Sequence, residues 1–203
     1  EVDEGDPFNN ILLTKSINNL KALNIFGKVE YEVFPSGKND KKKIVNITIE
    51  EKPTGEILAS AGVGNDGGSL GFSISEKNFM GRGIGLISSL SLSEEKVKGE
   101  FTVNNPNFNY TGNLVYGGLS TTQTDNTDSG YENTVTNFNL GTRFEQYEDV
   151  YFTPGLDLSF DDLKVDSSAS ANLKKQAGDF TELLFTYGID RDKRDRSFMP
   201  TSG

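Results

Sequence analysis

The densest group of side chains able to do chemistry is the run Asp190-Arg191-Asp192-Lys193-Arg194-Asp195-Arg196. Its three carboxylates suggest a calcium site or an acid–base pair. Four cations are interleaved with them, and charges alternating this closely neutralise one another in water, so a solvated strand end is the better reading. Asp125-Asn126-Thr127-Asp128 opens like a calcium loop. It lacks the later Gly and Glu that such a loop requires, and it reads as a polar loop tip. Gly81-Arg82-Gly83-Ile84-Gly85 contains a G-x-G. The motif lies between two strand patterns and opens no helix, so a tight turn is expected, with Gly85 a small residue on the polar face. Lys41-Lys42-Lys43 has the charge for a lipid headgroup, but in an acidic chain three lysines at a loop-to-strand junction serve mainly solvation.

The remaining carboxylates Glu56, Glu76, Glu100, Glu132 and Asp157 stand singly on predicted polar strand faces, so no catalytic pair emerges. The chain has no His and no Cys. That removes Ser-His-Asp hydrolysis, thiol nucleophiles, disulfides and zinc thiolate sites. No catalytic residue, metal or cofactor is expected, and the chain is read as a non-enzyme. Thirty acidic residues against 20 basic give a net charge of −10, the wrong sign for a nucleic-acid partner.

Function must then come from the elements. Only 34% of the 203 residues are hydrophobic, yet 22 are Gly and 14 are Phe. Disordered chains are depleted in aromatics, so this balance suggests many short strands, each apolar on one face. No run approaches the roughly 20 apolar residues of a spanning helix. The sequence opens on Glu1 without Met or a leader and stops at Gly203 after a strand-like run, so it reads as a piece of something longer.

Residues 1–53 and 54–203 differ in texture. In the first segment Leu13, Ile17 and Leu20 share one face at helical spacing, with Leu12 and Leu23 beside them. Asp6 before Pro7, or else Asn9 or Asn10, is placed to cap this helix, and Asn24 occupies the left-handed position that closes one. Val29, Tyr31 and Val33 then alternate as a strand, a polar loop is expected over Pro35–Lys43, and Val45, Ile47 and Ile49 alternate again. Helix, strand, strand is part of a small α+β module, too small to stand alone.

From Thr54 onward period-two alternation takes over. The apolar rows are Ile57, Ala59, Ala61 and Val63; Leu70, Phe72 and Ile74; Ile84, Leu86, Leu90 and Leu92; Phe101 and Val103; Leu114 and Tyr116; Phe138 and Leu140; Val150, Phe152, Leu156, Leu158 and Phe160; and Leu183, Phe185, Tyr187 and Ile189. These make eight strands, most of them about nine to eleven residues long, which is what a strand tilted by about 45° needs to cross a bilayer.

Alternate connectors are built differently. One set carries Phe79, Phe108, Tyr110, Phe144, Tyr147, Tyr151 and Phe198. The other is polar: Asn65–Gly68, Glu94–Gly99, Gln123–Gly130 and Asp161–Asp179. In an up-and-down barrel every second connector emerges on the same side, so aromatics collected on one side mark a membrane interface and polar loops mark the outside. A soluble sandwich shows the same alternation along each strand but has no reason to sort its turns.

Several stretches together resemble a known family. Glu4-Gly5-Asp6-Pro7-Phe8-Asn9, the helix, and Leu23-Asn24-Ile25-Phe26-Gly27-Lys28-Val29 look like the last POTRA repeat of a BamA-type outer-membrane assembly factor. Asn24 departs from that pattern, which commonly has Gly there. Glu50-Glu51-Lys52-Pro53-Thr54-Gly55 is similar to the junction that enters the barrel. Ser75–Gly83 resembles the end of the second barrel strand and its turn, Phe101–Phe108 the fourth strand, and Asp195–Gly203 the turn after the eighth. The resemblance implies a mainly β fragment: a partial α+β POTRA module (1–53, periplasmic), then the first eight antiparallel strands of a sixteen-stranded transmembrane β-barrel (54–203) in the bacterial outer membrane.

It also implies a function, the assembly and insertion of barrel proteins at a lateral seam. The first barrel strand would template client strands along Glu56, Ile57, Leu58, Ala59, Ser60, Ala61, Gly62, Val63 and Gly64. The implied partners are unfolded outer-membrane proteins, lipoproteins docking on the POTRA repeats, and membrane lipid. A two-partner secretion transporter shares this architecture and is the nearest alternative. A passive porin fits the first 53 residues poorly, and an outer-membrane enzyme fits the thin catalytic inventory poorly.

Overall fold

The computed structural model describes residues 4–37, 39–64 and 67–194. The chain divides into two compact units, Glu1–Thr54 and Gly55–Gly203.

The first unit is one helix and one hairpin. Helix α1 (Asn10–Ala22) is capped by Asn9, whose Oδ1 accepts from the N–H groups of Ile11 at 2.9 Å and Leu12 at 3.4 Å. Of the candidate caps, then, the residue immediately before the helix prevails over Asp6. Leu13 and Ile17 are the helix residues that become buried, and Ile25 just past its end joins them. Asn24 adopts φ +54°, the left-handed conformation that Asn tolerates better than other non-glycine residues. Its Oδ1 accepts from Lys52 Nζ at 2.7 Å, which supplies a reason for Asn at this position. Strands β1 (Phe26–Ser36) and β2 (Asn39–Glu51) pair antiparallel, with Val29, Tyr31 and Val33 opposite Ile49, Ile47 and Val45. The polar loop expected over Pro35–Lys43 is mostly strand instead: Pro35 pairs with Lys43 and the ladder closes at Ser36–Asn39. Pairing satisfies backbone groups whatever the side chains, so a hairpin outruns its apolar residues.

The second unit is one antiparallel sheet of eight strands in sequence order: β3 (Gly55–Gly64), β4 (Gly67–Phe79), β5 (Ile84–Ser93), β6 (Lys96–Phe108), β7 (Asn113–Asn126), β8 (Tyr131–Tyr147), β9 (Val150–Val165) and β10 (Gly178–Arg191). Every strand expected from alternation is present. Most are longer than expected, because the strands run on into the polar stretches Glu94–Gly99, Gln123–Gly130 and Asp161–Asp179. The turns shrink to 94–95, 127–130, and 166–177 with the short helix α2 (Ala171–Lys174). No helix among the described residues is long and apolar enough to cross a membrane.

Register turns the separate rows into faces. Ala59 pairs with Phe72, Phe72 with Leu90, Leu119 with Phe138, Phe138 with Leu158 and Leu158 with Leu183. One face is therefore apolar from β3 to β10. The other carries Ser60, Ser73, Ser89, Glu100, Asn104, Ser120, Asn137, Asn139, Asp157 and Glu182. Three expectations are corrected. On β7 it is Val115 and Leu119 that join the apolar face, while Leu114 and Tyr116 lie on the polar one. Glu76, opposite Leu86, and Glu132, opposite Asp125, belong to the apolar side, at the ends of its rows where water can reach them.

Candidate functional site

The nine residues from Glu56 to Gly64 all lie on β3, the first edge of the sheet. Among the described residues β3 pairs only with β4, and every one of its positions is exposed. Ile57, Ala59, Ala61 and Val63 stand on the apolar face; Glu56, Leu58, Ser60 and Gly62 stand on the polar one. The contacts to β4 are light. Ser60 Oγ would lie 2.6 Å from a Cβ on Gly71, and Ser69 Oγ donates to the Gly62 carbonyl at 3.4 Å. An edge strand of this kind presents unpaired N–H and C=O groups along its free side, a template for another extended segment.

The start of β4 is held from one side. The Glu94 carboxylate sits where a Cβ on Gly67 would project, and Gly68 N–H donates to its Oε1 at 3.4 Å. Gly67 has φ +83°, so a glycine serves both the backbone conformation and the space. The lacing continues along this rim. Glu95 accepts at its carbonyl from Asp125 N–H at 2.8 Å, and Gly130 accepts from Asp166 N–H at 2.8 Å.

The opposite rim is built on other lines. Its first two turns share an Asn-Phe-x-x-x-Gly pattern, Asn78-Phe79-Met80-Gly81-Arg82-Gly83 and Asn107-Phe108-Asn109-Tyr110-Thr111-Gly112. In each the Asn carbonyl accepts from the residue three on, and its Oδ1 accepts from the closing glycine N–H, at 2.7 Å for Gly83 and 2.8 Å for Gly112. The G-x-G is thus a turn, with Gly81 at φ +69° and Gly83 at φ +67°. Gly85 lies on the polar face with Asn104 Oδ1 over it, accepting from its N–H at 3.1 Å. Met80 and Tyr110 project from these tips at 77% and 91% exposure, an arrangement that water alone does not favour. The aromatics expected here at Phe79, Phe108 and Tyr147 are in place and exposed; Phe198 lies outside the described residues.

The candidate ion sites dissolve into local pairs. Asp192 is gripped by Arg194, through Nε at 2.7 Å and Nη2 at 2.5 Å. Those hydrogen bonds draw its carboxyl down to a pKa of about 2, and the same partner raises Arg194 further. Asp190 takes Arg143 Nη2 at 2.7 Å. Asp195 and Arg196, and with them the turn expected over 195–203, lie outside the described residues. Asn126 Oδ1 accepts from Ser129 N–H at 2.8 Å, which closes the loop tip on itself. Among the described residues no three His, Cys, Asp or Glu side chains converge as a metal site.

The sequence reading missed a cluster on the polar face of the last strands. The Tyr116 ring lies across Gly141, where a Cβ would run into it, and its hydroxyl reaches toward Gly155. The Arg143 guanidinium stacks on Tyr151 with 3.9 Å to the centroid while bonding Asp190. Glycines at one level on neighbouring strands, with a tyrosine on the next, are the signal that was available.

An antiparallel meander, apolar across one face and polar across the other, with aromatics gathered at one rim, has the fold of a bacterial outer-membrane β-barrel wall. The Omp85 superfamily domain matches residues 78–203, more than half of the sequence, and the chain belongs to that superfamily. The crystal structure of BamA from Haemophilus ducreyi lacking POTRA domains 1–3 superposes with a TM-score of 0.72 at 18% identity, over 100% of this chain and 42% of that one. The chain therefore spans less than half the length of that structure, and the likeness is one of fold. No curated protein matches the sequence.

Proposed function

We propose that this chain serves the insertion of β-barrel proteins into the bacterial outer membrane, with β3 as the strand on which an incoming chain is templated. The observation that carries the reading is the edge itself: ten residues paired along one side, exposed throughout, and small at Ala59, Ser60, Ala61, Gly62 and Gly64. Main-chain groups are common to every client, so pairing through them accepts many sequences, and small side chains avoid selecting among them. The apolar face meets lipid and the polar face meets the lumen. Insertion then runs downhill without a chemical fuel, because each added strand exchanges unpaired backbone for a ladder inside the bilayer.

Within this reading the helix–hairpin unit, residues 1–53, is the C-terminal part of a periplasmic POTRA repeat that assembly lipoproteins approach, and residues 54–203 are the N-terminal half of the barrel. The aromatic rim lies at the periplasmic interface. The laced polar rim faces the outside.

Residues 1–203 contain no Cys, so a thiol placed on β3 has no competitor among them. A thiol introduced by Ser60→Cys, in the full-length protein, is expected to form a disulfide with a Cys in the terminal strand of an arrested client barrel. Ala59→Pro is expected to abolish client insertion while the barrel itself still folds. Normal insertion by the proline variant, with no cross-link from position 60, overturns the role of β3.

A further inference from the structure

Where β8, β9 and β10 rise past the apolar rows, six side chains on the apolar-facing side form a grid two rows deep and three strands wide. The register aligns Thr136, Phe160 and Thr181 in the lower row and Thr134, Asp162 and Asp179 in the upper. Together with Asp161 and Phe180, which alternate with them on β9 and β10, they line a depression of about 270 Å³, slightly below the ~300–1,000 Å³ of pockets for drug-sized ligands. Directly beneath lies the wholly apolar row Phe138, Leu158 and Leu183. Phe138 sets the Phe160 ring by an edge contact, 6.2 Å between centroids and 88° between planes.

We propose that this grid binds the sugar headgroup of a membrane glycolipid, with the acyl chains lying on the row below. The chemistry is specific to that class. Phe160, 43% exposed at the centre of its row, offers a flat apolar platform of the kind on which the C–H face of a sugar ring rests. The flanking threonine hydroxyls donate and accept, and the carboxylates accept from vicinal hydroxyls. Asp162 and Asp179 face each other across the β9–β10 ladder, an arrangement of like charges that is unfavourable by itself. Only Asp162 has a cation within salt-bridge distance among the described residues, Lys164 at 3.2 Å. A ligand rich in hydroxyl donors relieves that opposition, whereas a lone phosphate worsens it. Continuity of the sugar-type grid with an apolar row on the same face selects an amphiphile over a free saccharide. The inference rests on the reading of the apolar face as lipid-facing.

The test uses the full-length protein in nanodiscs of phosphatidylethanolamine and phosphatidylglycerol, with or without an uncharged diglucosyl diacylglycerol, read by native mass spectrometry. The parent is expected to retain the uncharged glycolipid in preference to phospholipid. Phe160→Ala loses a stacking contact of up to about 1.5 kcal/mol, a retention loss of about tenfold. The double change Asp162→Asn and Asp179→Asn, which keeps shape and relieves the like charges, is expected to weaken retention as well. The free headgroup oligosaccharide, here the disaccharide, is expected to compete far less well than the intact glycolipid. Equal retention by parent and both variants, or no preference over phospholipid, overturns the site. Competition by the free oligosaccharide at the same concentration assigns it to soluble sugar instead and overturns the glycolipid. A fluorophore on Leu158→Cys separates the two levels. Quenching by brominated acyl chains without glycolipid selectivity fails this inference alone, and absence of quenching fails the lipid-facing reading beneath it.

Discussion

The strands at the two ends of the sheet share one topology and are held together by different means. Between β3, β4 and β5 the polar face is a carpet of serine and glycine: Ser60 over Gly71, Ser69 beside Gly62, then Ser73, Ser89 and Ser91. Across β7 to β10 the same face carries Tyr116 over Gly141 and Arg143 between Tyr151 and Asp190, and the opposite face adds the ring pairs Phe138–Phe160 and Phe144–Phe152. Ladder hydrogen bonds are common to both ends. Cross-strand contacts of rings and of the Arg143 cation, worth roughly 0.2–1 kcal/mol per pair, are concentrated at one, whereas the other has only aliphatic and mixed pairs such as Leu70–Leu92 and Phe72–Leu90. On the proposed reading, a sheet built this way is expected to open first where side chains add least, at β3, and to hold its shape at β8 and β9 while it does so.

The largest test of that contrast is one substitution made twice. In Gly141→Ala the new methyl meets the Tyr116 ring, which must either swing off the sheet or push the strands apart, at about 1–3 kcal/mol. In Gly71→Ala the new methyl meets only the Ser60 hydroxyl, 2.6 Å from the built Cβ. That hydroxyl turns aside on a single χ angle, and the expected loss is below about 0.5 kcal/mol. Urea unfolding of the refolded barrel, with amide exchange on β7–β9 and on β3–β4, reads both. Equal losses would erase the distinction between the two ends.

A middle-sized effect comes from Arg143, the cation that spans three strands. Arg143→Ala removes both the stacking on Tyr151 and the 2.7 Å pair with Asp190, about 1 kcal/mol together at this half-exposed site. Arg143→Lys keeps the charge but not the planar group, and is expected to recover only part of the loss. Raising the salt concentration should shrink the Asp190 share and leave the stacking share. A variant as stable as the parent at low salt would show that the far end of the sheet owes nothing to this contact.

How much of this was legible in the sequence depends on whether one strand or several are needed to see it. The β3 row Ile57, Ala59, Ala61 and Val63 declares its faces alone, and so do the helix residues Leu13 and Ile17. On β7 the consecutive apolar residues Leu114, Val115 and Tyr116 fit either parity, and only the pairing of Leu119 with Phe138 decides. The polar ends of β6 to β10 carried no alternation to read, since beyond the apolar band both faces meet water while the ladder continues. The Phe160 grid and the Tyr116–Gly141 contact are properties of register. Each joins, across strands, residues 17 or more positions apart that no local period connects. The Asn-Phe-x-x-x-Gly turns lay open as a repeat, but their conformation follows from the side-chain carbonyl of Asn reaching a glycine five residues on, which becomes clear only with the turn formed.

The smallest expected effect lies just past the end of β10 and sets the scale for the others. Arg194 bonds both carboxylate oxygens of Asp192, and its own N–H adds a third bond at 3.1 Å. The Asp192 carboxyl therefore titrates at about 2, below its ordinary 3.8. Because the folded value is the lower one, whatever this contact contributes is fully present above about pH 4 and is lost as the pH falls toward 2. Arg194→Ala should return the carboxyl toward the ordinary range, read as the midpoint of its carbon chemical shift in an acid titration. Unlike Arg143, this pair joins residues only two apart, so it ties no strand to another. The unfolding curve at neutral pH should not move. A loss comparable with that of Arg143→Ala would mean that the sheet is braced by its charged end as much as by its rings, and the contrast between the two ends would need a different cause.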